Sequence, residues 1–283
     1  MKKPDFPFCI CWANENWTRR WDGAEHEILM AQECWSDEQN QAFAESIIHI
    51  LLDERYIRIN GAPLLIVYRH DLFPDLRHTA EQWRKIFRNN GVGEVHLCIA
   101  ITFSGLQTSL EQIGFDSAVQ FPPHGFYARE ISSDELKVDD FSGHLYDYKD
   151  GVINSLSQEF PELKVFRSVM TSWDNTARRK RAAHAFINSH PDVYELWLRG
   201  TIEKTRQVNL GDEKLVFINA WNEWAEGAHL EPDQKYGYSY LLATRRALDG
   251  THSWKTIIDV LRYVPIKSVN HLHSQLDDLE NRI

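Results

Sequence analysis

Two glutamates three residues apart, Glu223 and Glu226, lie in the segment Asn219-Ala-Trp-Asn-Glu-Trp-Ala-Glu-Gly227, just beyond an apolar run that reads as a strand. If the turn carrying them is helical, their side chains share a face with Cβ atoms about 5–6 Å apart. Two carboxylates in one site titrate apart, because ionising both costs more than ionising one. One can stay protonated as an acid while its neighbour serves as a base. Glycosidic bond cleavage needs such a pair: an acid for the leaving oxygen, and a carboxylate acting as base or nucleophile. Trp221 and Trp224 would lower the local dielectric and offer a stacking face, and Asn219 and Asn222 would bond hydroxyls. A glutamate pair is more often a solvated loop feature; the strand end, two indoles and two amides favour a site here.

Two further clusters also follow apolar runs. The segment from Cys11 to Gly23 interleaves Asn14, Glu15, Asn16, Arg19 and Asp22 with Trp12, Trp17 and Trp21. Rings among polar groups suit a sugar, which has apolar faces and many hydroxyls. The alternative is a surface loop pinned by its tryptophans, with Arg19 or Arg20 paired to Asp22 or Glu25. In the segment from Thr171 to Arg178, Trp173, Asp174 and Asn175 could line the same mouth, though Asp174 could equally cap the next turn. The histidines show no H-E-x-x-H spacing, and no G-x-S-x-G elbow is present. Neither a metal nor a cofactor is expected.

The positioning elements follow from alternating patterns. Short apolar runs at Phe8–Trp12, Leu64–Tyr68, Val95–Phe103, Ser117–Phe121, Val165–Trp173 and Leu215–Trp221 read as six strands. Helical patterns alternate with them. One opens at Ser36, with Gln39 completing a capping box, and a second opens at Thr79, with Gln82 in the same relation. A weak helix is expected near Val152–Phe160. Another runs from Pro191 to about Arg206, and a closing one spans Tyr236–Leu248. Residues 124–148 have no clear period and read as a long loop or lid. Residues 251–283 read as a peripheral tail to a domain at 1–250.

Strands alternating with helices indicate a parallel sheet, and no Gly-rich phosphate turn follows any of them. Every polar-aromatic cluster lies after a strand, as active sites do in a (β/α)₈ barrel. A closed barrel of that type has eight strands, so six imply an incomplete α/β barrel.

The 283 residues carry a net charge of -10, which with no basic block argues against nucleic acid or an anionic membrane. Ten Trp, ten Tyr and fourteen Phe make 12% of the chain, ample for a core and a ring-lined cleft. Four cysteines match neither a zinc pattern nor a disulfide framework, so buried thiols and a reducing compartment are expected. No run of 18 apolar residues appears, so no membrane span is expected, and a cytoplasmic location follows as the expectation.

The segments WANENWTRRWDG at 12–23, TSWDNTARR at 171–179 and NAWNEWAEGAHLEPD at 219–233 together resemble the WbsX-like family, related to glycoside hydrolase family 99. The resemblance covers about residues 5–250. It implies a (β/α)₈ barrel and work on bacterial surface polysaccharide, often under a glycosyltransferase label in O-antigen (lipopolysaccharide) gene clusters. It also implies that Glu223 deprotonates a sugar 2-hydroxyl, and that Glu226 protonates the leaving oxygen and later activates water. Similar proteins carry a longer segment before the Lys-Pro-Asp-Phe-Pro stretch, holding the first two strands. That missing segment is an expected partner, beside an oligo- or polysaccharide substrate. Three functions remain open: a retaining, endo-acting glycosidase or transglycosidase; a glycosyltransferase, against which the lack of a D-x-D motif counts; and a non-catalytic sugar-binding barrel.

Overall fold

The computed structural model describes residues 4–19, 24–32, 36–103, 105–106, 109–132, 141, 143–179 and 182–250. Six parallel strands form its main sheet: β1 (Ile10–Trp12), β2 (Ala62–Val67), β3 (His96–Ile101), β4 (Ser117–Gln120), β5 (Val165–Met170) and β6 (Val216–Asn219). They lie in sequence order from β1 to β6. A short strand, Arg58–Ile59, pairs antiparallel with β2. Among the described residues nothing joins β6 back to β1, so the sheet is an open, barrel-type one of six strands.

Period-two alternation decides what each strand buries. Leu65, Val67, Leu97, Ile99 and Ala118 point one way and pack with Trp83 and Phe87 beneath the helices. Leu64, Ile66, Cys98, Ala100, Val119 and Phe166 point the other way and fill the concave face. Burial on both faces explains why these strands read as continuous apolar runs.

The helices on the outer face are α1 (Asp37–Leu51), α2 (Leu76–Asn89), the single turn α3 (Leu110–Ile113), α4 (Tyr148–Ser157), α5 (Pro191–Val208) and α6 (Ser239–Asp249). Ser36 caps α1 with the expected reciprocal Gln39 box. The expected Thr79 cap is corrected: Asp75 caps α2 by accepting from the His78 N–H at 2.9 Å. Thr79 lies a turn inside, buried, donating its hydroxyl to the Asp75 carbonyl. α4 begins four residues before the expected Val152, because the Asp147 carboxylate caps it at Lys149. Pro191 opens α5 as expected.

The stretch 124–148 is not a plain loop. Glu130–Ile131 and Gly143–Asp147 join Ala183–Ile187 in a small three-stranded sheet. Phe126, Trp173, Phe186 and Trp197 bury this sheet against β5 and α5. Trp17–Arg19 pairs antiparallel with Ala24–Met30, a pairing that the sequence pattern did not disclose. The expected tail at 251–283 lies outside the described residues. None of the described helices is long and apolar enough to cross a membrane.

Candidate active site

A cleft of about 530 Å³ opens where β2 to β6 end. Its walls come from residues just past the strands: Tyr68 after β2, Phe103 after β3, Phe121 after β4, Trp173 after β5 and Glu226 after β6. Tyr146, His184 and Phe186 of the small sheet close one side. The parallel sheet thus delivers its share of the lining at the same end of its strands.

Glu226 is the carboxylate of this cleft. It ends a 3-10 turn, Trp224–Glu226, and Gly227 follows with φ +62°. A Cβ at Gly227 would stand 3.0 Å from the Asp174 backbone nitrogen, so glycine suits the close approach as well as the dihedral. That approach lets Asp174 N–H donate to the Glu226 carbonyl at 2.7 Å, and the Ser172 hydroxyl bonds the Gly227 carbonyl. The loops after β5 and β6 are therefore stapled together. Arg178, from the β5 loop, bonds the Glu226 carboxylate through Nη2. Burial raises the Glu226 carboxyl above its ordinary value; Arg178 opposes this and neighbouring Glu223 adds to it.

Glu223 precedes that turn and lies on the short pair Asn222–Glu223 with Ala228–His229. It is half-buried and outside the cleft wall, yet near enough to act on the Glu226 proton. The expected helical face is replaced by this strand and 3-10 turn. Asn219 donates to the Pro122 carbonyl at 2.7 Å, bracing the β6 end to the β4 loop. Trp221 and Asn222 are exposed and off the cleft wall. So is Trp224, whose indole stacks on His229 at 3.7 Å and donates to Glu231 at 2.7 Å.

The first cluster divides. Trp12 is corrected from sugar cradle to core: it stacks on Phe43 at 3.7 Å and meets Phe73 and Trp83 edge-on or tilted. Its register partner is Val67, which faces the helices, so Trp12 must face them too. Asn14, fully buried, is likewise structural: it exchanges two 2.8 Å bonds with the backbone of Arg69, tying the end of β1 to the end of β2. Asn16 accepts from the Gln32 N–H beside the antiparallel pair of Trp17–Arg19 with Ala24–Met30, and Arg19 pairs with Glu27 at 2.9 Å across it, where Trp17 is exposed. Trp21 lies outside the described residues. Glu15 reaches the cleft indirectly: it binds Arg69, whose guanidinium lies 5.2 Å over the Phe103 ring, and Phe103 meets His124 edge-on.

In the third cluster Trp173 lines the cleft. Asp174 does not: its carboxylate accepts from the Thr176 N–H at 2.9 Å, which is the capping alternative. Its neighbour Asn175 is the buried lining residue, accepting from the His184 N–H at 2.8 Å. His124, Tyr146, His184, Phe186 and Arg179 also line the cleft, and no spacing in the sequence marked them. Burial lowers the proton affinity of both His124 and His184. Among the described residues no group of three His, Cys, Asp or Glu could hold a metal ion.

A parallel barrel-type sheet with its half-buried carboxylate past the strand ends defines an α/β protein of the incomplete (β/α)-barrel class. The family model described as Glycosyltransferase WbsX matches residues 1–244, and the chain belongs to that family. It is 38% identical over 243 residues to the uncharacterized protein WxcX of Xanthomonas campestris pv. campestris (strain B100), covering 86% of this chain and 34% of that relative. The chain thus spans about a third of the length of the curated relatives it matches. A solved structure described as a glycoside hydrolase-like protein superposes with TM-score 0.52 at 14% identity, over 74% of this chain and 61% of the other, which supports the fold. The family 99 endo-alpha-mannosidase from Bacteroides thetaiotaomicron overlaps at TM-score 0.46 and 16% identity, over 81% and 64% of the two chains.

Proposed function

We propose that this chain is the carbohydrate-processing part of a protein that cleaves or transfers glycosidic bonds of a bacterial surface polysaccharide, with Glu223 and Glu226 as the working pair. The observation that carries this is the setting of Glu226: past the strand ends, half-buried, ring-walled, and more ready to hold a proton than an ordinary carboxylate. That is the setting of a general acid.

The pair works in two steps. Ionised Glu223 takes the proton of a sugar 2-hydroxyl, and that oxygen attacks its own anomeric carbon. The bond to the leaving oxygen breaks as Glu226 protonates that oxygen, giving a 1,2-anhydro sugar. Glu226, now ionised, then takes a proton from water, whose oxygen attacks the anomeric carbon. The ring opens as Glu223 returns its proton to the 2-oxygen. With a sugar hydroxyl in place of water, the same steps transfer instead of hydrolyse. Two inversions retain the anomeric configuration.

The test is sugar release from, or transfer to, bacterial surface polysaccharides and α-mannan. Glu226→Gln and Glu223→Gln are each expected to lower turnover at least ~100-fold with binding retained. Turnover that depends on a nucleotide-sugar donor would identify a donor-dependent transferase. Sugar binding without turnover in the wild type would leave a binding barrel and defeat the proposal.

A further inference from the structure

Resting on the reading of Glu226 as acid and base, the geometry points to Arg178 as its positioning residue: it fixes the orientation of the carboxylate in the cleft and sets the protonation state in which it rests. A group that donates a proton in one step and accepts one in the next works best poised between the two states. Burial and Glu223 alone would push Glu226 toward the neutral form. A charge-assisted bond from a guanidinium pulls the other way.

Arg178 is held for this task. Its backbone N–H donates to the Asn175 carbonyl at 3.1 Å, and Asn175 is itself pinned by exchanged bonds with His184. Asp174 N–H holds the Glu226 carbonyl, so donor and acceptor ride on two loops fixed to each other. Arg178 Nε is buried with no hydrogen-bond partner among the described residues, leaving the guanidinium bonded to Glu226 through Nη2 alone. A single contact from a fixed loop leaves the second carboxylate oxygen out of this ion pair. The other charged groups acting on Glu226 are Glu223 from its own loop and Arg179 from the β5 loop. His184 of the small sheet and His124 of the β4 loop share the cleft wall, and burial disfavours their charged forms.

The test needs no sugar. With carboxyl-labelled glutamate, the Glu226 signal is assigned by its loss in Glu226→Gln and titrated by NMR. Arg178→Met is expected to shift the Glu226 midpoint upward, and Arg178→Lys to restore part of the difference. In the wild type the Arg178 side-chain nitrogen resonances are expected to titrate with the Glu226 midpoint, a measurement independent of any variant. Arg178 resonances that ignore the Glu226 titration, or a midpoint unmoved in a folded Arg178→Met or Arg178→Lys protein, would overturn the inference. An upward shift in a protein that turns over no glycan would uphold the Arg178 coupling while removing the catalytic reading.

Discussion

At the scale of single residues, the turn around Glu226 is fixed by backbone before it is fixed by chemistry. Gly227 allows the positive φ and leaves room for Asp174 N, which a Cβ there would meet at 3.0 Å. Gly227→Ala is expected to cost about 1–3 kcal/mol in denaturant unfolding, the range for a side chain forced into a strained conformation. The raised Glu226 pKa also makes a signed statement about pH. The folded protein holds this proton where the unfolded chain has already lost it. Its stabilising contribution is complete below the ordinary glutamate value and is lost as pH rises through the raised one. The stability of the wild type relative to Glu226→Gln should therefore increase on going from neutral pH toward pH ~4.5, and a flat difference would contradict the burial of that carboxyl. Reading the sequence located the two glutamates, but it could not sort the aromatic residues. Trp12 and Trp173 both stand near strand ends in polar company; one faces the helices and the other the cleft. A shift of one position reverses the face, and composition does not record the face.

At the scale of elements, the local codes that proved legible are those satisfied within one segment. Ser36 and Gln39 cap each other, and the pattern names them at once. Thr79 and Gln82 have the same spacing, yet Thr79 is committed elsewhere: its hydroxyl accepts from buried Asn40 of α1 and donates to Asp75. Tertiary contact takes Thr79 into the helix, and Asp75 becomes the cap. Asp75→Ala should thus cost about 1 kcal/mol by chemical denaturation. No change in stability would show that the His78 N–H finds another acceptor. The strands of the main sheet were legible because apolar residues pack on both of its faces, which writes them as apolar runs. The small sheet was not, because its pairing links residue 144 to residue 184 across an intervening helix and strand. Its packing is nevertheless tight: a Cβ at Gly143 would fall 2.4 Å from the carbonyl oxygen of its register partner Ala183.

At the scale of the whole molecule, the sheet has two ends, and its residues register that fact. Cys11 and Ile66 are register partners on the same concave face, yet Ile66 is 4% exposed while Cys11 counts as exposed. At the other end every residue of β6 is only half-buried. Burial is therefore highest in strands paired on both sides: every residue of β5 and His96 to Ala100 of β3 are buried, whereas neither edge strand is. An edge strand leaves half of its backbone groups without a sheet partner, whereas a central strand has them paired on both sides. Native-state hydrogen exchange should then be slower for the amides of the interior strands β2 to β5 and fastest, among the six strands, for β1 and β6. These two edges, unpaired among the described residues, are also where further strands would have to join to close an eight-stranded barrel. In a longer protein containing this chain, exchange at β1 and β6 should slow while β3 and β4 change little. If the edge amides of this chain already exchange as slowly as those of β3, the edges are paired and the open sheet is wrong.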